Sequence, residues 1–183
     1  MNIEIERKYF SDIQIDIKCD LYKSFTMYDR YYKCPSGFIR VRSDTEEKTE
    51  ITAKNYPLDD NIYRREVNLG QKDSIENIVE FMDVAGLEKV LEFKQKSQVW
   101  ITKDVCISRN QIVDINDIPY YFDGNHIRKN YLSYPKAIFI EIEAYNNYNK
   151  EKAFKDIDNM QRKLKLEDSS IIKKSLVQLF GIL

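Results

Sequence analysis

The first residues whose types could do chemistry stand at positions 4–8, with the sequence Glu-Ile-Glu-Arg-Lys. If this stretch is a β-strand, its side chains alternate between two faces, so Glu4, Glu6 and Lys8 point the same way. That face then carries two acids and one base in a row. Charge that alternates with isoleucine is also ordinary on a solvated edge strand, so this stretch alone leaves both interpretations open.

Later stretches repeat the pattern of one apolar face and one face that carries charges of both signs. At least six predicted strands show it, and their hairpin order predicts a mainly antiparallel sheet. The basic members of these rows are Lys8, Arg40, Arg42, Lys54, Arg64, Lys94 and Lys96. The acidic members are Glu4, Glu6, Glu50, Glu66, Glu92, Asp123, Glu141 and Glu143. Glu50, Glu92 and Arg64 could equally be surface charges.

These strands have to be arranged so that their apolar faces are covered. We predict one α+β domain over residues 1–183, with about eight strands and with three helices, at residues 73–87, 150–166 and 170–180, packed outside the sheet. Curling the sheet into a closed β-barrel removes its edges and brings the charged rows into a lumen. Such a lumen is costly unless it binds something, because each unpaired desolvated charge costs on the order of several kcal/mol.

The predicted lumen suits a polyphosphate together with a divalent cation. Arginine forks match phosphate oxygens, and clustered carboxylates match hard cations such as Mg²⁺ or Mn²⁺. The chain has only five glycines and neither of the two common glycine-rich phosphate motifs. Side chains, rather than a glycine-rich loop, would therefore hold the phosphates.

Composition argues against several other classes of protein. The net charge of −1 gives no bulk attraction to nucleic acid or to an anionic membrane. No apolar run is long enough to span a bilayer, and the first residues lack a signal-peptide pattern. Cys19, Cys34 and Cys106 are scattered, which predicts reduced thiols in a cytoplasmic protein. His126 is the only histidine, which disfavours a catalytic Cys–His pair and a zinc site of histidine and cysteine.

The series of charged motifs resembles the CYTH family, the triphosphate tunnel metalloenzymes. Residues 4–8 match the family's E-x-E-x-K signature, which alone would be weak, but further elements follow in the family's order over nearly the whole chain. These elements are residues 38–42 (like L-R-x-R), 52–54 (T-x-K), 64–66 (R-x-E), 94–96 (K-x-R), 121–123 (the aspartate strand), 139–143 (F-x-E-I-E) and 174–176 (K-S-Y).

The sequence also departs from the family pattern. Lys96 replaces an arginine and Leu176 replaces a tyrosine, while the segment between Lys8 and Asp29 is short. Residues 132–135, Leu-Ser-Tyr-Pro, stand where a Gly-Leu-Gly is common. These changes leave the subfamily open.

The resemblance implies an eight-stranded tunnel that binds a triphosphate with Mg²⁺ or Mn²⁺. Carried over by motif, the metal ligands would be Glu4, Glu6, Asp123, Glu141 and Glu143. The phosphate-binding residues would be Lys8, Arg40, Arg42, Lys54, Lys94 and Lys96. The catalytic set would be Glu4, Glu6, Lys8 and Glu66, with Glu66 orienting the phosphates or assisting a second metal.

We therefore expect a cytoplasmic enzyme that hydrolyses the terminal phosphoanhydride of tripolyphosphate or of a nucleoside triphosphate. Two alternatives stay open: a class IV adenylate cyclase, which makes cyclic AMP and pyrophosphate from ATP, and a non-catalytic triphosphate-binding protein. The expected partner is a small-molecule triphosphate, and RNA 5′-triphosphate ends stay among the candidates. No membrane partner is expected, and a homodimer is compatible with the sequence.

Overall fold

The main element of the described residues is one antiparallel sheet of nine strands. The computed structural model describes residues 5–35, 37–46, 48–55, 66–71, 73–145 and 149–182. The strands of the sheet are β1 (Glu6–Phe10), β2 (Leu21–Cys34), β3 (Gly37–Asp44), β4 (Thr49–Asn55), β5 (Glu66–Gln71), β6 (Lys89–Ile101), β7 (Val105–Val113), β10 (Ile138–Ala144) and β11 (Ile171–Ile172). Their spatial order is β11-β1-β10-β7-β6-β2-β3-β4-β5, and β8 (Tyr121–Phe122) pairs separately with β9 (Ile127–Arg128). The α+β class and the mainly antiparallel sheet are confirmed.

The described residues contain three α-helices, namely α1 (Ile75–Val84), α2 (Lys150–Leu164) and α3 (Leu176–Leu179). The first two agree with the predicted helices, and Ser74 caps α1 by accepting a hydrogen bond from the backbone of Asn77. The third predicted helix is wrong over its first half. The β-branched pair of β11 is extended and pairs with β1 instead, so α3 begins only after Ser175, which forms a capping box.

The pairing register decides which side chains share a face, because residues directly opposite each other in antiparallel strands point to the same side. The strand-to-strand partners connect one set of charged residues across the whole sheet. We call this side the charged face. Its charged residues include Glu6, Lys8, Lys23, Asp29, Arg40, Arg42, Glu50, Glu141 and Glu143.

The opposite side of the sheet is apolar and is covered as expected. The helix α2 buries Ala153 and Ile157 in a cluster with Ile5, Ile140 and other residues of β1, β7 and β10. The helix α1 packs through Ile78 and Met82 onto β2 and β3. Burial of this kind stabilises the fold by about 25 cal/mol per Å² of apolar surface. A shift of one residue would turn these side chains to solvent, so the two helix contacts fix which face of each strand is apolar.

The short helix α3 packs on the charged face, which corrects the prediction that every helix lies outside the sheet. Phe180, which follows α3, stacks on Phe93 of β6 with ring centroids 5.1 Å apart. The ring centroids of Phe122 of β8 and Phe10 of β1 are 4.5 Å apart. We call this cluster the apolar floor; it consists of Phe10, Tyr31, Phe38, Phe93, Ile112, Tyr120, Phe122, Ile127, Phe139, Val177, Leu179 and Phe180.

The sheet curls about its charged face. Burial alone would lower the pKa of Lys8, but Glu141, Glu6 and Tyr31 raise it overall. Tyr31 lies on β2, four strands away from β1, and a flat sheet would separate these strands by about 19 Å. Tyr31 and Phe10 of β1 nevertheless belong to one packed cluster, which indicates that the sheet curves. Pairing among the described strands stops at β11 and at β5, so closure of the barrel stays a prediction.

Each helix in the described part of the chain is too short or too polar to cross a membrane.

Candidate functional site

One end of the charged face is formed by β1 and β10, which carry acids and a base in facing positions. Lys8 lies opposite Glu141, with 3.0 Å between Lys8 Nζ and Glu141 Oε1. One step along the strands, Glu6 lies opposite Glu143. Facing carboxylates repel each other, and their oxygens are the ligands that hard divalent cations prefer. This pair is therefore a place where a cation would be favourable.

The other end of the charged face is formed by β2, β3 and β4. Asp29 is fully buried and accepts two hydrogen bonds from Arg42, at 2.6 Å from Nε and 2.8 Å from Nη2. Gln95 Nε2 donates a third at 2.6 Å. Burial alone would raise the pKa of Asp29, but Arg42, Arg40 and Gln95 lower it overall. Asp29 and Arg42 therefore form a charged, bidentate pair.

Arg40 lies beside this pair, and the described residues satisfy only some of its hydrogen-bond donors. Its Nη2 donates to Glu50 Oε1 at 2.8 Å and to Thr52 Oγ1 at 3.0 Å. Its Nε is buried and finds no acceptor among the described residues. A buried donor left without an acceptor costs about 1–3 kcal/mol. An anion oxygen bound at this point would remove that cost.

Neutral polar residues of β6 and β7 join the two charged ends. Ser97 Oγ donates to Asn110 Oδ1 at 2.7 Å. Asn110 Nδ2 donates in turn to Ser108 Oγ at 2.9 Å and to Glu141 Oε2 at 3.4 Å. This chain of hydrogen bonds continues the polar lining from Glu141 towards Gln95 and Asp29.

Sequence reasoning missed Asp29, Gln95 and Asn110. The hairpin of β2 and β3 pairs Cys34 with Gly37, and counting outward from this pair places Asp29 opposite Arg42. That count was available from the sequence. The roles of Gln95 and Asn110 depend on which face of β6 turns towards the charged residues. The sequence analysis chose the face of Lys94 and Lys96, whereas the register gives the face of Gln95.

The register separates Lys94 and Lys96 from the other predicted phosphate-binding residues. Lys94 lies opposite Tyr28 and Val113, on the side away from the charged face. Both lysines pair with Asp117, at 3.0 and 3.1 Å. Both faces of β6 carry polar residues, and the burial of Phe93 in the apolar floor decides which face turns inward. Gln95 and Ser97 therefore occupy the places expected for the two lysines, because a shift of one residue exchanges the faces.

The structure also gives Asp123 a different setting from the expected metal site. Its Oδ2 accepts from Arg128 Nε at 2.9 Å, and its Oδ1 accepts from the backbone nitrogens of Asn125 and His126. Arg128 and these turn nitrogens lower the pKa of Asp123 to about 2. Asp123 thus organises the turn between β8 and β9, and the structure does not group it with Glu6, Glu141 and Glu143.

Several predicted site residues lie outside what the structure describes. Glu4 and Arg64 are outside the described residues, and so are the side chains of Lys54 and Glu66. The backbone register places Lys54 opposite Glu66 and Phe38. Of the three charges that the sequence left open, Arg64 is among these undescribed residues, and Glu50 lies on the charged face. Glu92 lies on the other face, bonded to Tyr28 and Lys89.

The acidic residues of the charged face have the donor atoms expected for a site that binds Mg²⁺ or Mn²⁺. Glu6, Glu141 and Glu143 offer carboxylate oxygens, which suit these ions. Within the described ranges, however, no three acidic, histidine or cysteine residues come together closely enough to hold a metal ion. Glu141 is also engaged by Lys8. The described residues therefore supply suitable ligands but not a complete site.

The family assignment follows from the match of the sequence to a family model. The model of the CYTH domain matches residues 2–176. The chain belongs to the CYTH domain family. This match includes both charged ends of the site and the start of α3. No curated protein matches the sequence of this CYTH protein.

Solved structures of similar fold support the architecture. A conserved hypothetical protein from Pyrococcus furiosus has a TM-score of 0.71 at 19% identity, over 97% of this chain and 99% of the other. A "putative adenylate cyclase" from Vibrio parahaemolyticus has a TM-score of 0.66 at 12% identity, over 97% of each chain. A "putative adenylyl cyclase" from Hippeastrum, described as having a dominant triphosphatase activity, has a TM-score of 0.52 at 11% identity, over 91% of this chain and 89% of the other. At these identities the likeness concerns the fold.

Proposed function

We propose that this CYTH protein is a metal-dependent triphosphatase that cleaves the terminal phosphoanhydride of tripolyphosphate or of a nucleoside triphosphate. The observation that carries the proposal is the charged face itself. Arg40 and Arg42 lie on the same curled face as Lys8, Glu6 and the acids of β10. The buried Arg40 Nε, which lacks an acceptor among the described residues, favours an anion as the ligand.

The cations of this face would bind and orient the phosphates. Lys8, Arg40 and Arg42 are held in place by Glu141, Glu50 and Asp29, respectively. Positioned cations stabilise the negative charge that develops on the phosphoryl oxygens in the transition state. Arg42 contributes its Nη1 edge, because Asp29 occupies Nε and one side of Nη2.

The acids would bind the metal ion and orient the attacking water. Glu6 and Glu143, with Glu141 and with Glu4 from outside the described residues, are the proposed ligands of Mg²⁺ or Mn²⁺. Such an ion, when bound, would neutralise part of the negative charge on the phosphoryl oxygens. A carboxylate of this group orients the water towards the terminal phosphorus. We further propose that the curled sheet closes into an eight-stranded barrel around these residues.

A class IV adenylate cyclase is the second candidate. Three solved structures of similar fold are described as putative adenylate or adenylyl cyclases, from Vibrio parahaemolyticus, Bacillus halodurans and Hippeastrum. Cyclisation would use the same phosphate contacts but would require the ribose 3′-oxygen to lie about 3–3.5 Å from the α-phosphorus. The Hippeastrum protein, with its dominant triphosphatase activity, favours hydrolysis as the first candidate.

A product assay separates these candidates. The protein is incubated with tripolyphosphate, ATP or GTP in Mg²⁺ or Mn²⁺, and phosphate, pyrophosphate and cyclic AMP are quantified. We expect phosphate from tripolyphosphate, from a nucleoside triphosphate or from both, with little cyclic AMP. Equal amounts of pyrophosphate and cyclic AMP from ATP would establish the cyclase. Tight binding without any product would establish a binding protein.

A further inference from the structure

An apolar strip continues the charged face in the direction away from the apolar floor. On β2, Tyr31 belongs to the floor, and Asp29 follows two positions away on the same face. Beyond Asp29, the side chains on this face of β2 and their neighbours on β6 are mostly apolar. We call this group the apolar strip; it consists of Leu21, Phe25, Met27, Val99 and Ile101.

The apolar strip is not part of the hydrophobic core. Its residues belong to none of the three core clusters formed by the described residues. Leu21 has 44% of its surface exposed, and Phe25, Val99 and Ile101 are half-buried. Apolar surface that stays in contact with water is unfavourable until a ligand or a partner covers it. Because this surface adjoins the charged face, it suits the apolar part of a ligand whose charged part binds there.

The polar side chains at the border of the strip are already engaged. Ser97 and Ser108, which lie opposite strip residues, are hydrogen-bonded to Asn110 at 2.7 and 2.9 Å. Lys23 lies within the strip and pairs with Glu46 at 3.7 Å. The described part of the strip therefore offers a ligand apolar contact rather than directed hydrogen bonds.

We propose that the apolar strip binds the base of a nucleoside triphosphate without distinguishing between bases, so that nucleoside triphosphates bind more tightly than inorganic tripolyphosphate. The inference rests on the proposed function, because it assumes that the phosphates bind to the charged face. Phe25 lies four residues from Asp29 on β2, a distance of about 13 Å along a strand. A triphosphate held by Arg42, the partner of Asp29, can therefore reach Phe25 with its base.

The chemistry of the strip explains both parts of the proposal. Every base has a flat face that can stack on an aromatic ring, so a ring such as that of Phe25 accepts all bases. Telling one base from another requires hydrogen bonds to its edge, and a pocket that offers only apolar contact discriminates poorly between ligands of similar shape. Inorganic tripolyphosphate has no apolar part, so it gains nothing from the strip.

A binding experiment with hydrolysis-resistant ligands tests the proposal. The ligands are the β,γ-imido analogues of ATP, GTP and UTP, and imidotriphosphate is their inorganic counterpart. Affinities in Mg²⁺ are measured by calorimetry for the wild type and for Phe25→Ser. The matched control is Val84→Ser, which removes an 82% exposed apolar side chain from α1, on the other side of the sheet. Circular dichroism verifies that each variant is folded.

We expect the three nucleotides to bind with similar affinity, and at least about tenfold more tightly than imidotriphosphate, as for the stacking of one base. Phe25→Ser should weaken nucleotide binding about tenfold and leave the affinity for imidotriphosphate unchanged. Val84→Ser should bind every ligand like the wild type.

Three results would overturn the inference: equal affinity for nucleotides and imidotriphosphate, a more than tenfold preference for one base, or an unaltered nucleotide affinity in Phe25→Ser. A change of oligomeric state in Phe25→Ser, measured by light scattering, would assign the strip to a second copy of the chain and would also overturn it. If nucleotides bind as expected but no triphosphate is hydrolysed, the proposed function fails and this inference holds. If hydrolysis occurs without the expected affinity ratio, only this inference fails.

Discussion

Arg42 donates both Nε–H and Nη2–H to the two carboxylate oxygens of Asp29, which is completely buried. Two parallel hydrogen bonds fix the plane of the guanidinium as well as its position. The remaining Nη1 edge is thereby aimed in one direction before any ligand arrives. An arginine held in this way loses little conformational entropy when it binds a phosphate.

Removing the charge of Asp29 should destabilise the fold. Asp29→Asn keeps the shape of the side chain but leaves Arg42 without its ionic partner, and breaking a buried pair on one side costs about 3 kcal/mol. Urea unfolding measures this change. The control Gln95→Met removes one hydrogen bond to Asp29 and should cost about 1 kcal/mol. Equal stability of Asp29→Asn and the wild type would show that the pair does not hold the fold.

The same pair sets the direction of the response to acid. The pKa of Asp29 is lowered in the folded protein, so its contribution to stability is present above the unfolded pKa of about 3.9 and is lost as the pH falls through the folded pKa. Unfolding free energies measured from about pH 5 downwards should therefore fall less steeply for Asp29→Asn than for the wild type. Parallel curves would contradict the pair's role.

Lys8 should be required for activity through its charge. Lys8→Met removes a cation of the charged face, and loss of a charge-assisted contact with a phosphate should lower kcat/KM at least about tenfold. Lys8→Arg keeps the charge and should retain more activity than Lys8→Met. Initial rates with tripolyphosphate give these values, and circular dichroism confirms folding. Unchanged kcat/KM in Lys8→Met would remove Lys8 from the site.

Lys94 and Lys96 lie on the face of β6 away from the site, so their substitution should affect kcat/KM much less than substitution of Arg40. Lys94→Ala and Lys96→Ala should leave kcat/KM within about twofold of the wild type, because both side chains pair with Asp117 on the face away from the site. Arg40→Ala should lower it by about a hundredfold, as for the loss of two charge-assisted contacts. A large loss in either lysine variant would show that the lysines reach the substrate.

Metal binding should depend on Glu6. Glu6→Gln replaces a charged ligand oxygen on the charged face, and we expect the affinity for Mn²⁺ to fall at least about tenfold, which corresponds to about 1.4 kcal/mol. Electron paramagnetic resonance of free Mn²⁺ measures this without substrate. The control Glu92→Gln changes an acid on the other face and should bind Mn²⁺ like the wild type. Chelation by EDTA should abolish hydrolysis by the wild-type protein.

The sequence was most informative where the alternation had a single interpretation. On β10 isoleucines alternate with acids, so period two alone placed Glu141 and Glu143 on one face, and on β1 the same period placed Glu6 with Lys8. The register then brings the two rows together. On β6 both faces are polar, and the choice between them depends on Phe93 meeting Phe180, a contact between distant parts of the chain. Local patterns carry no information about such a contact.

The third helix shows the same limit. Ile171 and Ile172 fit a helical stripe equally well, and only the free edge of β1 made them a strand. Tertiary pairing overrode the local preference here.

The pairing of β1 with β10 has a consequence for how the protein folds. Glu6 meets Glu143, and Lys8 meets both Glu141 and Ile172, so this strand has only distant partners among the described strands. Closing such long loops is slow, because their entropy is lost before the contacts form. During synthesis, β1 can therefore pair with β10 only after residues 138–144 have emerged from the ribosome. The ion pair of Lys8 with Glu141 can form only at that late stage.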